Sequence, residues 1–179
     1  PGDEVIVPTP AFGLYEPLVA LSSGVYVPMD TCADHFQITP QNLAQHITAK
    51  SKAILLNSPN NPTGAVYTPE SLDAVYQVAK EKNLFVLCDD VYAQLVYGPY
   101  QSFSRYQDIR EKIILIQSFS KPYAMTGWRM GYLCADRPVI EQLAKLHSYT
   151  VVSAVSFLQK GCAAALDYDP SPMIETYRR

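Results

Sequence analysis

The sequence contains no long hydrophobic run, no excess of positive charge and no closely spaced pair of cysteines. Its 179 residues carry a formal net charge of -3, so the chain has no basic field that would attract a nucleic-acid backbone. No apolar run approaches the roughly 18 residues that a membrane-spanning helix needs. These absences argue against nucleic-acid and membrane partners, and they predict a soluble protein.

The cysteines and histidines show no spacing that is typical of a metal site. The four cysteines are Cys32, Cys88, Cys134 and Cys162. None has a CxxC partner, and two of them fall within apolar runs that predict strands. We therefore expect reduced thiols in the core of a cytosolic protein rather than disulfides or a metal centre.

Hydrophobic residues make up 48% of the chain, which is enough to form the core of one ordinary domain. The chain opens on PGDEVIVPTP, a turn signature that leads directly into a strand without an initiator methionine. It closes on SPMIETYRR, a helix start that is followed by only a few residues. These ends predict an internal piece of a longer protein.

Short β-branched runs alternate with longer helical patterns, which predicts an α/β fold with a mostly parallel sheet and crossover helices. The strand candidates are Glu4 to Val7, Val25 to Met29, Ala53 to Asn57, Leu84 to Asp89, Ile113 to Gln117 and Met130 to Ala135. The 12 residues between the last two candidates are too few for a crossover helix. The last strand is therefore free to run antiparallel.

Two Thr-Pro pairs predict helix starts, because threonine caps a helix and proline is tolerated at its first position. Thr68 and Pro69 open the clearest helix, which we expect to stop at Asn83. Thr39 precedes a second helix. The stretch from Pro138 to about Leu166 predicts one or two further helices. Their expected packing residues are Leu143, Leu146, Val155 and Leu158.

Polar clusters directly follow three of the predicted strands: NSPNNPTG, DDVY and SFSK. The ligand crevice of such a sheet lies beyond the carboxyl ends of its parallel strands, so we expect these clusters to meet at one edge. Each cluster alone is ambiguous. Asp89 and Asp90 are also explained as a solvated strand end, NSPNNPTG as a plain turn and Lys121 as an exposed cation. Their combination predicts a binding site.

The stretch SFSKPYAMTGWRMGY places one lysine and one arginine in an otherwise apolar and small-residue run. A lysine without a partner is costly to bury as an ammonium, and a neutral amine is a nucleophile. An amine, a carboxylate, an amide, a phenol and a Ser-Ser-Arg set together suit one cofactor, pyridoxal phosphate. The amine reacts with its carbonyl, the carboxylate pairs with its pyridine nitrogen, the amide and phenol serve its ring oxygen, and the remaining groups grip its phosphate.

The sequence resembles the fold type I pyridoxal-phosphate enzymes, and more closely the class I and II aminotransferases. The resemblance covers nearly the whole chain in four segments: PGDEVIVPTPAFGLYEPLV, NSPNNPTGAVYTPESL, LCDDVYAQLVY and SFSKPYAMTGWRMGY. It implies that residues 1–179 are part of the large, cofactor-binding domain, with an N-terminal segment and a C-terminal small domain outside them. It also implies that the Thr9-Pro10 and Asn61-Pro62 bonds are cis.

By position, the resemblance assigns catalytic roles and ring contacts. Lys121 would form the Schiff base with pyridoxal 5'-phosphate and carry the substrate proton. Asp89 matches the acid that pairs with the pyridine nitrogen. Tyr92 and Asn61 match the two donors to the ring oxygen.

The remaining assignments concern the phosphate and the two ring faces. Ser118, Ser120 and Arg129 match the phosphate ligands. Phe12 occupies the place of an aromatic residue stacked on one ring face, and Val91 that of a small apolar residue beneath the other. For these last two residues, plain core packing is the alternative.

The resemblance implies a cytoplasmic homodimeric aminotransferase that moves an amino group from an amino acid to a 2-oxo acid. The family's phosphate-wrapping loop, cross-dimer tyrosine and carboxylate-binding arginine lie outside these residues, so we expect the isolated chain to be inactive. Two alternatives stay open. One is a C-S or related lyase with the same cofactor, and the other is an aminotransferase-like sensor domain of a transcription regulator. The Gly-Trp-Arg in the last segment favours the aminotransferase.

Overall fold

A single mixed sheet organises the computed structural model, which describes residues 1–177. Within that range the sheet has six strands, which are β1 (Glu4–Thr9), β2 (Val25–Asp30), β3 (Ser51–Asn57), β4 (Phe85–Asp89), β5 (Ile113–Ser118) and β6 (Gly131–Cys134). Their order across the sheet is β2-β1-β3-β4-β5-β6. Strands β1 to β5 are parallel, and β6 runs antiparallel to β5. The predicted fold is confirmed.

The helices of the described range are α1 (Tyr15–Leu21), α2 (Pro40–His46), α3 (Pro69–Lys82), α4 (Arg137–Thr150), α5 (Ser156–Leu166) and α6 (Ser171–Tyr177). The predicted caps are confirmed: the side chain of Thr39 accepts a hydrogen bond from Asn42 N, and that of Thr68 accepts one from Ser71 N. Asn83 ends α3 in the left-handed conformation, with φ of 55°. None of these helices, within residues 1–177, is long and apolar enough to cross a membrane.

The main core lies between one face of the sheet and helices α2 and α3. Alternate strand residues such as Ile6, Ile54 and Val86 point to this face and are fully buried. The opposite face carries a smaller cluster in which Tyr15 of α1 packs with Val7 and Leu55. Helix α1 thus brings its first residue close to the carboxyl ends of the central strands.

The structure corrects part of the packing predicted for the last helices. Leu143 and Leu158 are half-buried, as a packing role requires. Leu146 and Val155 are 60% and 50% exposed, so the prediction is wrong for these two. Helical periodicity shows which residues share a face, but it does not show whether another element covers that face.

The placement of the cysteines also differs in part from the prediction. All four thiols are unpaired, and Cys88 and Cys162 are buried. Cys32 and Cys134 are exposed, so the predicted core location is wrong for these two. Cys134 ends β6, which is an edge strand of this sheet and exposes all four of its residues.

The carboxyl ends of β3, β4 and β5 lie side by side, because Asn57 pairs with Asp89 and Asp89 pairs with Ile116. The three polar clusters therefore begin at one edge of the sheet, as the crevice rule predicts. The Thr9-Pro10 and Asn61-Pro62 bonds at this edge are cis, as the resemblance implies. The Ser58-Pro59 bond, which was not predicted, is cis as well.

Candidate active site

A cavity of about 440 Å³ opens at the carboxyl edge of the central strands. Its volume is typical of a small-molecule site. All eight predicted site residues line it, together with Val91. They are Phe12, Asn61, Asp89, Tyr92, Ser118, Ser120, Lys121 and Arg129. A larger cavity of about 510 Å³ lies between β5, β6 and α4, but mostly apolar side chains line it and it offers far fewer polar groups for chemistry.

The Asp89 carboxylate stands at the end of β4 and is held from the side. The hydroxyl of Tyr15 donates a hydrogen bond of 2.6 Å to Asp89 Oδ2. The other oxygen, Oδ1, has a longer contact of 3.4 Å with the amide nitrogen of Val91. A half-buried carboxylate with one oxygen fixed in this way can pair with a cationic group in the cavity.

Asn57, the last residue of β3, connects two of the predicted ligands. Its Nδ2 donates to the backbone oxygen of Asp89 at 2.9 Å. Its Oδ1 accepts from the backbone nitrogen of Asn61 at 2.7 Å. Asn57 is 3% exposed, so this bridge is protected from water and fixes the loop after β3 relative to the end of β4.

Lys121 follows β5 and lines the cavity. Its Nζ lies 5.5 Å from the centroid of the Tyr92 ring, which is within the range of a cation–π contact. Lys121 is half-buried, and the Thr126 to Arg129 segment that follows is exposed. The lysine therefore occupies the wall of an open cavity rather than a sealed core.

A cation and several hydroxyl groups gather on the β5 side of the cavity. Arg129 adopts a left-handed backbone conformation with φ of 55°, which is rare for a residue with a side chain and often occurs at functional sites. Its Nη1 donates to the backbone oxygen of Thr126 at 2.9 Å. The hydroxyl of Ser118 accepts from the amide of Ser120 at 3.0 Å. Gly131 lets β6 approach β5, because a Cβ there would lie 2.7 Å from a backbone oxygen of β5.

The chemistry of this donor set fits pyridoxal phosphate. The cavity offers an amine at Lys121 for the carbonyl and a carboxylate at Asp89 for the ring nitrogen. A phenol and a carboxamide, from Tyr92 and Asn61, are available to the ring oxygen. The arginine and hydroxyl groups suit a phosphate.

Three residues of the cavity wall are not predicted from the sequence: Tyr15, Asn57 and Thr126. Tyr15 lies close in sequence to Phe12, and their rings meet edge to face with centroids 5.6 Å apart. The position of Tyr15, three residues after the predicted ring contact Phe12, is the sequence signal that could have placed it at the site. Asn57 is the first residue of NSPNNPTG, but only the paired strands show that its carboxamide bridges two loops.

Asp90 is buried next to the site without facing the cavity. It is 5% exposed, so a solvated strand end is the wrong explanation for it. Ser102 Oγ donates to its Oδ2 at 3.1 Å, and Tyr100 is a second hydrogen-bond partner. Burial raises the pKa of Asp90 to about 6, although these two hydrogen bonds oppose the rise.

Replacing Asp90 with asparagine should change how the stability of the protein depends on pH. Because the pKa of Asp90 is higher in the folded state, the folded protein binds this proton more tightly, and its stability falls as pH rises from about 4 to 6. At pH 8 the Asp90→Asn variant should be more stable than the parent by roughly 1 to 3 kcal/mol. Urea unfolding at pH 4.5 and pH 8 measures this difference.

An exposed carboxylate is the matched control for that experiment. Asp3→Asn should leave the pH dependence of the unfolding free energy unchanged, since Asp3 is exposed in the structure. An Asp90→Asn variant with the same pH dependence as the parent would contradict the role of the buried carboxyl.

The chain belongs to the class I and II aminotransferase family. The family model described as "Aminotransferase class I and II" matches residues 1–178. This chain is 38% identical to an aspartate aminotransferase of Musicola paradisiaca over 185 aligned positions, covering 100% of this chain and 46% of that protein. It is 37% identical to an aspartate aminotransferase of Thermotoga maritima, covering 99% of this chain and 48% of that protein.

Solved structures show the same relationship. The crystal structure of an aromatic aminotransferase from Pyrococcus horikoshii superimposes with a TM-score of 0.94 at 36% identity, covering 99% of this chain and 48% of that one. The Thermotoga maritima aspartate aminotransferase gives a TM-score of 0.92 at 36% identity, covering 99% of this chain and 48% of that one. The chain thus spans about half the length of the relatives it matches. The family is pyridoxal-phosphate-dependent.

Proposed function

We propose that the protein containing this chain is a cytoplasmic, homodimeric aminotransferase that uses pyridoxal phosphate to move an amino group between an amino acid and a 2-oxo acid. Residues 1–179 form part of its cofactor-binding large domain. The observation that carries the proposal is the gathering of Lys121, Asp89 and Arg129 around one cavity of about 440 Å³. Four free thiols are compatible with a reducing compartment. The exposed apolar residues of α4 and α5 are compatible with a partner subunit that covers them.

Different residues of the cavity have different roles in such a reaction. When bound, pyridoxal phosphate withdraws electrons from the substrate's α carbon and so makes its proton easier to remove. Lys121 holds the cofactor covalently at rest, and its Nζ then takes and returns that proton. Asp89 keeps the ring nitrogen protonated by pairing with it. Asn61 and Tyr92 orient the ring through its oxygen.

The other cavity residues hold the cofactor in place. Ser118, Ser120 and Arg129 bind the phosphate, while Phe12 and Val91 confine the two ring faces. Phe12 is 40% exposed, so one side of its ring is available for stacking rather than committed to the core.

The names of the relatives favour the aminotransferase over the two alternatives, since aspartate and aromatic aminotransferases recur among them. A direct assay decides between the three. The full-length protein is incubated with cofactor, a panel of amino acids and a 2-oxo acid, and the new amino acid is measured. We expect a new amino acid to form in step with loss of the donor. Release of an elimination product would support the lyase, and binding without turnover would support the sensor.

Replacing Arg129 with alanine should weaken the binding of pyridoxal phosphate by about ten- to hundredfold, because a charge-assisted contact with the phosphate is lost. Equilibrium titration of the cofactor-free protein measures the dissociation constant. Binding of pyridoxal, which lacks the phosphate, should be unchanged. The exposed Arg137, paired with Glu141 on α4, provides the control Arg137→Ala. Equal weakening for both cofactor forms would contradict a phosphate contact.

A further inference from the structure

Tyr15 is a buried residue of the cavity wall to which the proposed reaction gives no task. Its side chain is 7% exposed and packs in the small cluster with Val7 and Leu55. A phenylalanine would fill the same space and keep the edge-to-face contact with Phe12. Packing therefore explains the ring of Tyr15, but it does not explain the hydroxyl.

The hydroxyl of Tyr15 is directed at one atom, Asp89 Oδ2, at 2.6 Å. Burial, followed by the bond to Asp89, raises the pKa of Tyr15 far above its ordinary value. The phenol thus keeps its proton at any physiological pH and acts as a permanent donor. A short hydrogen bond from such a donor also fixes the direction in which the carboxylate points.

The two oxygens of the Asp89 carboxylate are held at different distances. Tyr15 occupies Oδ2, and the amide of Val91 lies at the longer distance of 3.4 Å from Oδ1. Asn57 meanwhile fixes the Asp89 backbone through the bond of 2.9 Å to its oxygen. The main chain of Asp89 and one of its side-chain oxygens are therefore held, and each carboxylate oxygen can accept a further hydrogen bond from a ligand.

We propose that Tyr15 is a positioning residue whose hydroxyl fixes the orientation of the Asp89 carboxylate, so that this carboxylate would pair with the ring nitrogen of the cofactor. This inference rests on the proposed function, because it requires pyridoxal phosphate in the cavity. The hydroxyl of Tyr15 contacts Asp89. Its effect passes through Asp89 alone.

The test compares two cofactors in the full-length protein. One is pyridoxal phosphate, and the other is its analogue with carbon in place of the ring nitrogen, which cannot pair with a carboxylate. Tyr15→Phe removes only the hydroxyl. It should raise the dissociation constant of pyridoxal phosphate about tenfold, while that of the carbon analogue changes by less than about twofold.

A second tyrosine of the same cluster provides the control. Tyr26 packs against the cluster of Val7, Tyr15 and Leu55 but does not line the cavity, so Tyr26→Phe should leave both dissociation constants unchanged. Circular dichroism and thermal unfolding establish that each variant is folded. An unfolded Tyr15→Phe protein would overturn the inference, because the hydroxyl would then be needed for folding.

The outcomes separate this inference from the proposed function. If Tyr15→Phe weakens both cofactors equally, or weakens neither, Tyr15 only packs and the inference is wrong. If the parent protein binds no pyridoxal phosphate at all, that result contradicts the proposed function itself, independently of Tyr15. A selective loss for pyridoxal phosphate confirms that the hydroxyl acts through the Asp89 pair with the ring nitrogen.

Discussion

Replacing Lys121 with alanine should abolish covalent attachment of the cofactor to the full-length protein and lower its turnover by about 10²- to 10⁴-fold or more. The reason is that one amine performs two tasks: it bonds to the cofactor at rest, and it carries the substrate proton during the reaction. Cofactor should still bind non-covalently, since Arg129 and Asp89 remain in the cavity. Steady-state kinetics and the bound-cofactor spectrum measure both effects.

A lysine at the other end of the sheet provides the control for that variant. Lys52 lies at the start of β3 and is exposed, whereas the cavity opens at the carboxyl ends of the strands. Lys52→Ala should keep full activity and covalent cofactor. Added small amines should restore part of the activity of Lys121→Ala, because they supply the missing proton carrier. Near-normal turnover without any added amine would contradict the role of Lys121.

Replacing Asp89 with alanine should leave the cofactor bound but slow proton removal from the substrate by about 10²-fold or more. Without a carboxylate partner the ring nitrogen loses its proton more easily, and the ring then withdraws electrons less strongly. Single-turnover mixing with an amino acid, followed by cofactor absorbance, isolates this step from product release.

The neighbouring carboxyl is the matched control for Asp89. Asp90 is adjacent in sequence but buried against Tyr100 and Ser102 rather than facing the cavity. Asp90→Asn should therefore leave the single-turnover rate close to that of the parent while changing the pH dependence of stability. Near-normal single-turnover rates in the Asp89 variant would show that this carboxylate does not support the ring nitrogen.

The strands and the location of the site could be predicted from the sequence because their signals are local. Apolar runs such as Ile113 to Gln117 are bounded by polar clusters, and parallel strands must end at a common edge. The helix starts at Thr39 and Thr68 could be predicted for the same reason, since a helix cap depends only on the next few residues.

The contacts that the sequence did not predict depend on distant parts of the chain. Tyr15 and Asp89 are 74 residues apart, and Asn57 and Asp89 are 32 residues apart. Only the pairing of β3 with β4 and the placement of α1 bring them together. The exposure of Leu146 on α4 likewise depends on what covers the helix, which periodicity does not encode.

Borohydride reduction of the full-length protein with pyridoxal phosphate, followed by peptide mapping, tests the central claim most directly. Reduction makes the bond between the cofactor and its lysine permanent, so the labelled residue can be identified by mass. We expect the label on Lys121 alone, and none in the Lys121→Ala variant. Label on a different lysine, or no label on any, would contradict the assignment of this cavity as the cofactor site.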